Sequence, residues 1–158
     1  MTVQVKSLTE TDYAYLAGII DGEGTVTIRR LTERKRERIY VSYGPAITVS
    51  NTDLIMLKSL RNRFGGNIVR ANPPRNKRWS QGYLLCFRRE EMLVLLPKTI
   101  PYMTRKRRKA ELLLEYMTTR TKSVATGAGG RFVSVPLTER QREIIAKIRK
   151  KNKRGPPI

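Results

Sequence analysis

Residues 16 to 24 of the chain are Leu16-Ala17-Gly18-Ile19-Ile20-Asp21-Gly22-Glu23-Gly24. Apolar residues recur at helical spacing up to this segment, and Thr9 offers a capping side chain, so the pattern predicts a helix over residues 9–21. We expect Gly22 and Gly24 to end that helix, because glycine disfavours the helical backbone. The segment therefore places Asp21 and Glu23 at the carboxyl end of a helix.

These two acidic residues oppose the helix dipole, whose negative end lies at the carboxyl terminus. The other acidic residues among the 13 in the chain lie at predicted helix starts, beside basic residues on helix faces, or in a charged turn. Acids placed against the dipole and between glycines suggest a bound cation. The alternative is that each acid caps a turn or pairs with a nearby arginine.

A second pattern in the same helix concerns small side chains. Ala14, Gly18 and Gly22 recur every four residues, so one helix face lacks side-chain bulk and allows a second helix to approach closely. If the same helix of a second copy fills this position, two Glu23 side chains meet near a twofold axis. Divalent metal ions would neutralise such a pair, and two metals can align a water with a phosphate and stabilise the leaving oxygen. The predicted interface comprises Ala14, Leu16, Gly18, Ile19 and Gly22.

The composition points to a polyanionic partner. The chain has 158 residues, with 33 Lys+Arg against 13 Asp+Glu and a net charge of +20. Nucleic acid is the partner that such an excess favours, since a thermophile surface rich in ion pairs would balance the two signs. The chain has no histidine and one cysteine, which excludes zinc fingers and histidine-based catalysis. Without an apolar run that spans a bilayer or a signal peptide, we expect a soluble intracellular protein.

The remaining chain alternates between hairpins and helices. Period-two patterns predict strands over 25–29 and 38–49, and over 67–72 and 79–87, while helices are predicted near 54–64, 90–96 and 102–119. The fold class is therefore α+β, with one antiparallel sheet that has helices on one face. We divide the chain into a core over residues 1–122, a flexible linker over 123–130 and a basic C-terminal helical extension over 131–158. The extension is expected to grip additional nucleic-acid backbone.

The other face of the sheet is predicted to be open and to bind DNA. It carries side-chain types that read base edges in a major groove, and the second hairpin adds a basic loop. An ordinary half-exposed strand alternates in the same way, and the charge of the chain favours the binding interpretation. The predicted DNA-binding residues are Thr25, Thr27, Arg29, Arg38, Tyr40, Ser42, Thr48, Arg70, Asn72, Arg75, Lys77 and Arg78.

The motif over residues 16–24 resembles the signature of the LAGLIDADG homing endonucleases. The similarity extends to Val49-Ser50-Asn51-Thr52-Asp53, to the helix end at Phe64-Gly65-Gly66 and to the order of helices and hairpins. It covers roughly residues 10–120. The resemblance implies the αββαββα fold of that family, with a saddle-shaped sheet that lies along DNA. It also implies site-specific hydrolysis of both strands of a long pseudo-palindromic site across the minor groove, which leaves short 3′ overhangs.

The resemblance also implies roles for individual residues. Glu23 is the expected metal-binding carboxylate, assisted by the carbonyl group of Gly22. Asn51 is expected to order water around the metals, and Lys106 to support the scissile phosphate. Two or more Mg²⁺ ions are expected per dimer site, with Mn²⁺ as a substitute and Ca²⁺ binding without cleavage. Asp21 is expected to be structural.

Only one copy of the motif is visible, whereas single-chain members of the family carry two. The resemblance therefore implies a homodimer and an intron-encoded enzyme, with an intein origin left open. One alternative is a binding protein that has lost cleavage, such as a splicing maturase that binds intron RNA. Another is a basic ribosome-associated protein, which would explain the charge but not the motif.

Overall fold

The computed structural model describes residues 7–35, 37–119, 124–125, 132–133 and 136–150. Its first helix, α1, spans Glu10–Glu23 and begins with a capping box, in which the Thr9 hydroxyl accepts from the Asp12 amide and the Asp12 carboxylate accepts from the Thr9 amide at 2.7 Å. The helix continues two residues beyond the predicted end. Gly24 closes it by donating its amide to the carbonyl of Ile20.

Four antiparallel strands form the main sheet. They are β1 (Gly24–Lys35), β2 (Arg38–Asn51), β3 (Asn67–Arg70) and β4 (Tyr83–Cys86), in the spatial order β1-β2-β4-β3. Gly24 pairs with Val49, so β1 starts directly at the end of α1 and opposite the end of β2. The predicted α+β class and the antiparallel sheet are confirmed.

The helices after β2 are α2 (Leu54–Phe64), α3 (Arg89–Thr99), α4 (Arg107–Thr119) and α5 (Glu139–Arg149), with a 3₁₀ turn over Ile100–Tyr102. Two short strands, β5 (Val124–Ala125) and β6 (Phe132–Val133), pair between α4 and α5. None of the described helices combines the length and apolar character needed to cross a membrane.

A single hydrophobic core lies between the helices and one face of the sheet. Val26, Ile28, Ile47, Val49 and Leu85 enter it from the strands. The apolar stripe of α5, formed by Ile144, Ile145 and Ile148, belongs to the same core. The division into core, linker and extension remains a prediction, and the glycine-rich stretch over 126–130 lies outside the described residues.

Two helix boundaries differ from the sequence-based expectation. Helix α3 was predicted to stop before Pro97, yet it continues to Thr99, and the buried Thr99 hydroxyl donates to the carbonyl of Leu95 at 2.8 Å. Helix α4 begins at Arg107 rather than Tyr102, because residues 100–102 form the 3₁₀ turn and residues 104–106 form a bend. This bend places Lys106 at the entrance of α4.

The tip of the first hairpin also differs from expectation. Ile39 and Val41 alternate with Arg38, Tyr40 and Ser42, which were predicted on the open face, so the pattern predicts them on the buried face; yet 64% and 41% of their surface is exposed. They lie on the helix-facing side of β2, at the end of the hairpin away from Gly24. The two side chains therefore lie on the predicted face of the strand. They are exposed because the tip of the hairpin extends beyond the helices that cover the rest of this face.

Candidate active site

Glu23 is the last residue of α1, and its side chain is exposed. Its carboxylate makes no hydrogen bond or ion pair with any residue in the described ranges. Gly22 precedes it in the last turn, where helix carbonyl groups have no partner within the helix. The structure thus places a carboxylate without a described partner next to the main-chain carbonyl group of Gly22.

Asp21 lies one residue before Gly22, and both oxygens of its carboxylate accept hydrogen bonds. One carboxylate oxygen accepts from the amide and hydroxyl of Thr104, at 2.6 and 3.0 Å, and from the amide of Arg105 at 3.3 Å. The other accepts from the amide of Lys106 at 2.9 Å. Burial alone would raise the pKa of Asp21, but the hydrogen bonds from Thr104, Lys106 and Arg105 outweigh it, so the pKa lies below its usual value. Asp21 therefore binds the bend before α4 to the end of α1.

Lys106 is held at the same end of α1 by its own side chain. Its ammonium group donates to the carbonyl oxygens of Ile20 at 2.8 Å and Asp21 at 2.9 Å. Burial lowers the pKa of Lys106, while the carboxylates of Asp21 and Glu23 act in the opposite direction. An ammonium group has three hydrogens, so one remains to donate to a ligand beside Glu23. The cation also complements the negative end of the helix dipole.

Asn51 is the last residue of β2, at the end of the sheet where α1 meets β1. Its side-chain oxygen accepts from the amide of Asp53 at 2.9 Å, which starts the turn into α2. Its amide nitrogen makes only a long contact of 3.9 Å to the sulfur of Met56. Within the described part of the chain, no hydrogen bond joins Glu23, Asn51 and Lys106 directly.

In the described chain, no group of three or more His, Cys, Asp or Glu residues could hold a metal ion. One copy offers Glu23 together with main-chain carbonyl oxygens at the end of α1. Carboxylate and carbonyl oxygens are the ligands that Mg²⁺ and Ca²⁺ prefer. The donor set fits these ions, and a second copy would supply the second carboxylate.

The small residues of α1 lie on an exposed face. Ala14, Gly18 and Gly22 are exposed, and a Cβ atom added to Gly18 or Gly22 would have no atom within 4 Å. Ile19 is half-buried beside them, and Tyr15 is 53% exposed. The predicted interface residue Leu16 is placed differently, because it is 1% exposed and packs in the core of its own chain.

The strand register assigns the predicted DNA-binding residues to faces of the sheet. Paired residues share a face, and the pairs Thr25–Thr48, Leu31–Ser42 and Glu33–Tyr40 place these residues on the face opposite the core. Thr27 and Arg29 follow by alternation, as does the backbone position of Arg38, whose side chain is not among those described. We call this side the open face. Thr48 is only 7% exposed on it, so neighbouring groups shield it.

The second hairpin is arranged differently from the first. Arg70 and Asn51 both pair with Tyr83, so Arg70 lies on the core-facing side of the sheet, at an exposed edge strand. Asn72, Arg75, Lys77 and Arg78 lie in the exposed loop over residues 71–82. The structure therefore separates Arg70 from the open-face residues with which the sequence grouped it.

Several solved structures that are similar to this chain are homing endonucleases. The chain is similar to the homing endonuclease I-CvuI in complex with the I-CreI target, with a TM-score of 0.52 and 19% identity, over 69% of this chain and 67% of that chain. It is similar to the archaeal intron-encoded homing endonuclease I-Vdi141I complexed with DNA, with a TM-score of 0.52 and 17% identity over 69% and 68% of the two chains. The chain has the LAGLIDADG homing-endonuclease fold. The expected resemblance is thus confirmed in the fold.

A third structure is longer than this chain. The I-LtrWI LAGLIDADG homing endonuclease bound to target DNA matches with a TM-score of 0.58 and 16% identity, over 94% of this chain. The chain spans about half of that protein, since the match covers 45% of it. No family model and no curated protein matches the sequence.

The contacts of Asp21 lead to a stability prediction. Replacing Asp21 with alanine removes the acceptor of four hydrogen bonds between α1 and the bend before α4, and should lower the free energy of unfolding by about 2 kcal/mol. The control is Thr9→Ala, which removes a cap at the other end of the same helix and should cost about 1 kcal/mol. Urea denaturation followed by circular dichroism measures both. A smaller loss for Asp21→Ala than for Thr9→Ala would contradict this account of the contacts.

Proposed function

We propose that the protein is a metal-dependent, site-specific endonuclease that cuts double-stranded DNA as a homodimer. The observation that carries this proposal is the end of α1. There the exposed Glu23 carboxylate has no described partner, while Lys106 is fixed beside it by hydrogen bonds to two main-chain carbonyl groups. The Glu23 carboxylate is therefore available to bind a cation, and one hydrogen of the Lys106 ammonium group is available to bind a phosphate.

The proposed metal is Mg²⁺, held by Glu23 and the carbonyl group of Gly22 from each of two copies. When bound, Mg²⁺ would polarise the phosphate and lower the pKa of an attacking water. The residues of the chain itself position the reacting groups. Lys106 would bind a phosphate oxygen with its remaining hydrogen, and the open face of the sheet would bind the DNA groove. The +20 charge would supply affinity that does not depend on sequence.

Asn51 remains a proposed site residue with a narrower role. Because its oxygen is engaged in the turn into α2, its side-chain amide nitrogen is the group that could bind water near the metals. Asp21 would act only through Lys106, by holding the bend that carries it.

The homodimer is proposed from the exposed face of α1. The face formed by Ala14, Gly18 and Gly22 offers close backbone approach, and the residues next to it, Tyr15 and Ile19, are large and apolar. This chain matches 45% of I-LtrWI, so two copies of it would correspond in length to about one I-LtrWI chain. A twofold dimer would read a pseudo-palindromic target.

Metal dependence is the test of the proposed chemistry. Supercoiled plasmid carrying a selected target should be converted to nicked and linear forms in Mg²⁺ or Mn²⁺, and should remain intact in EDTA. In Ca²⁺ the plasmid should be bound but not cut. Agarose gels and a mobility-shift assay measure cleavage and binding separately. Tight binding with no cleavage in Mg²⁺ or Mn²⁺ would overturn the enzyme assignment in favour of a binding protein such as a maturase.

A further inference from the structure

Helix α5 carries basic residues on two faces with different partners. On one face, Arg140 donates to Glu115 at 2.7 and 2.9 Å and to Glu143 at 2.8 Å, and Lys147 donates to Glu143 at 2.5 Å. These cations are neutralised within the protein. On the other face, Arg142, Arg149 and Lys150 have no ion pair with any described residue.

The position of α5 is fixed by its packing. Ile144 and Ile148 are 0% and 2% exposed in the common core, and the Gln141 side chain donates to the carbonyl of Thr119 at 3.3 Å. The Thr138 capping box fixes the start of the helix. The basic side chains therefore project from a rigid support rather than from a flexible tail.

Two open clefts meet along the unpaired face of α5. The first, about 540 Å³, lies between the end of α5 and the start of β1, and its lining includes Thr25, Thr27 and Lys109. The second, about 500 Å³, lies beside Tyr43 and Arg142. Arg149 and Lys150 line both clefts, so the two clefts are adjacent. Among the described lining residues there is no carboxylate.

The first cleft begins next to the candidate active site. Thr25 is two residues after Glu23, and Lys109 lies one turn of α4 after Lys106.

We infer that Lys109, Arg149 and Lys150, which line the first cleft, form a track for the phosphate backbone of duplex DNA next to the cleavage site. This inference rests on the proposed endonuclease function and assigns α5 a part in it. Lysine and arginine side chains donate hydrogen bonds to phosphate oxygens, which carry no sequence information, so contacts along this track would be independent of base sequence. The Arg149 guanidinium carbon lies 5.9 Å from the centre of the Tyr43 ring, and the side chain lines both clefts.

The test compares two triple variants that lose the same charge. The track variant is Lys109→Gln with Arg149→Gln and Lys150→Gln. The control is Lys58→Gln with Arg61→Gln and Lys147→Gln, which removes exposed cations from α2 and from the paired face of α5. Thermal unfolding first establishes that both variants are folded. Fluorescence anisotropy in Ca²⁺ then measures binding to a duplex DNA of arbitrary sequence between 50 and 200 mM salt.

The logarithm of the association constant falls with the logarithm of the salt concentration, and the loss of three phosphate contacts should make this slope less steep by about 2.7. Between 50 and 200 mM salt, wild type should therefore lose about 40-fold more affinity than the track variant. The control variant should keep the wild-type slope. A track variant with the slope of the control would overturn the inference while leaving the proposed function intact. A slope change seen only with an RNA duplex of the same sequence would overturn the assignment to DNA. Wild-type protein that binds neither duplex would overturn the proposed function itself.

Discussion

Glu23→Gln is expected to abolish DNA cleavage while leaving DNA binding and folding unchanged. Glutamine keeps the shape of the side chain but removes the charge that would bind a metal ion. The carboxylate is exposed and has no described hydrogen-bond partner, so the fold should not depend on it. Loss of metal-ion catalysis is worth several kcal/mol, which corresponds to a rate decrease of about 10³-fold or more.

The matched control for this variant is Glu10→Gln. Glu10 is an exposed acid in the first turn of the same helix, at the end away from the candidate site. Plasmid cleavage in Mg²⁺ and anisotropy binding in Ca²⁺ should show normal values for the control. If Glu23→Gln cleaves within about tenfold of wild type, the residue is not the metal-binding carboxylate and the proposed site is wrong.

Gly18→Trp is expected to convert the proposed dimer into a folded monomer that no longer cuts DNA. A Cβ atom added at the exposed Gly18 meets no atom within 4 Å apart from the backbone of its own helix, so the monomer should accommodate a larger side chain that points into solvent. In a helix-to-helix contact between copies, the same side chain would separate the two backbones and with them the two Glu23 carboxylates. Cleavage should fall below detection, and light scattering should give the mass of one chain.

Ser59→Trp serves as the control, because Ser59 is an exposed position of α2 outside the proposed interface. This variant should remain a dimer and should cut normally. Gly24 would not tolerate a side chain in the same way, because a Cβ atom there would lie 2.6 Å from the carbonyl oxygen of Ile20. A Gly18→Trp protein that stays dimeric and active would contradict the proposed interface.

The part of the site that could be predicted from the sequence is the part encoded locally. The first helix was predicted over residues 9–21, two residues short of its end at Glu23, and the small residues on its exposed face follow from their spacing within the same segment. The capping box at Thr9 is a short-range pattern of the same kind. The antiparallel sheet followed from alternation in β1 and β2, although alternation did not show where the helices stop covering the hairpin at Ile39.

The contacts that assemble the site are long-range, and no local pattern encodes them. Asp21 accepts hydrogen bonds from residues 83 to 85 positions later, and Lys106 reaches back 86 positions to Ile20. The resemblance suggested a structural Asp21 and a functional Lys106 but not that one holds the other. Arg70 was assigned to the wrong group of neighbours because the register of β3 depends on its pairing with β4.

The clefts beside α5 could not be predicted from the sequence, because they too depend on long-range packing. The charges of Arg140 and Arg142 look equivalent along the chain, since both belong to one basic amphipathic helix. Only the packing of α5 against α4 brings Glu115 to Arg140 and leaves Arg142 with no described ion pair. Composition indicates a basic helix, and tertiary structure determines which cations remain for a ligand.

The most direct test of the proposed function is a map of both cut strands on a target selected from a randomised palindromic plasmid library. Wild-type protein in Mg²⁺ should produce paired breaks related by the twofold axis of the target, with short 3′ overhangs and no breaks in EDTA. Tight, specific binding to the selected target without scission of either strand in Mg²⁺ or Mn²⁺ would contradict the proposed function.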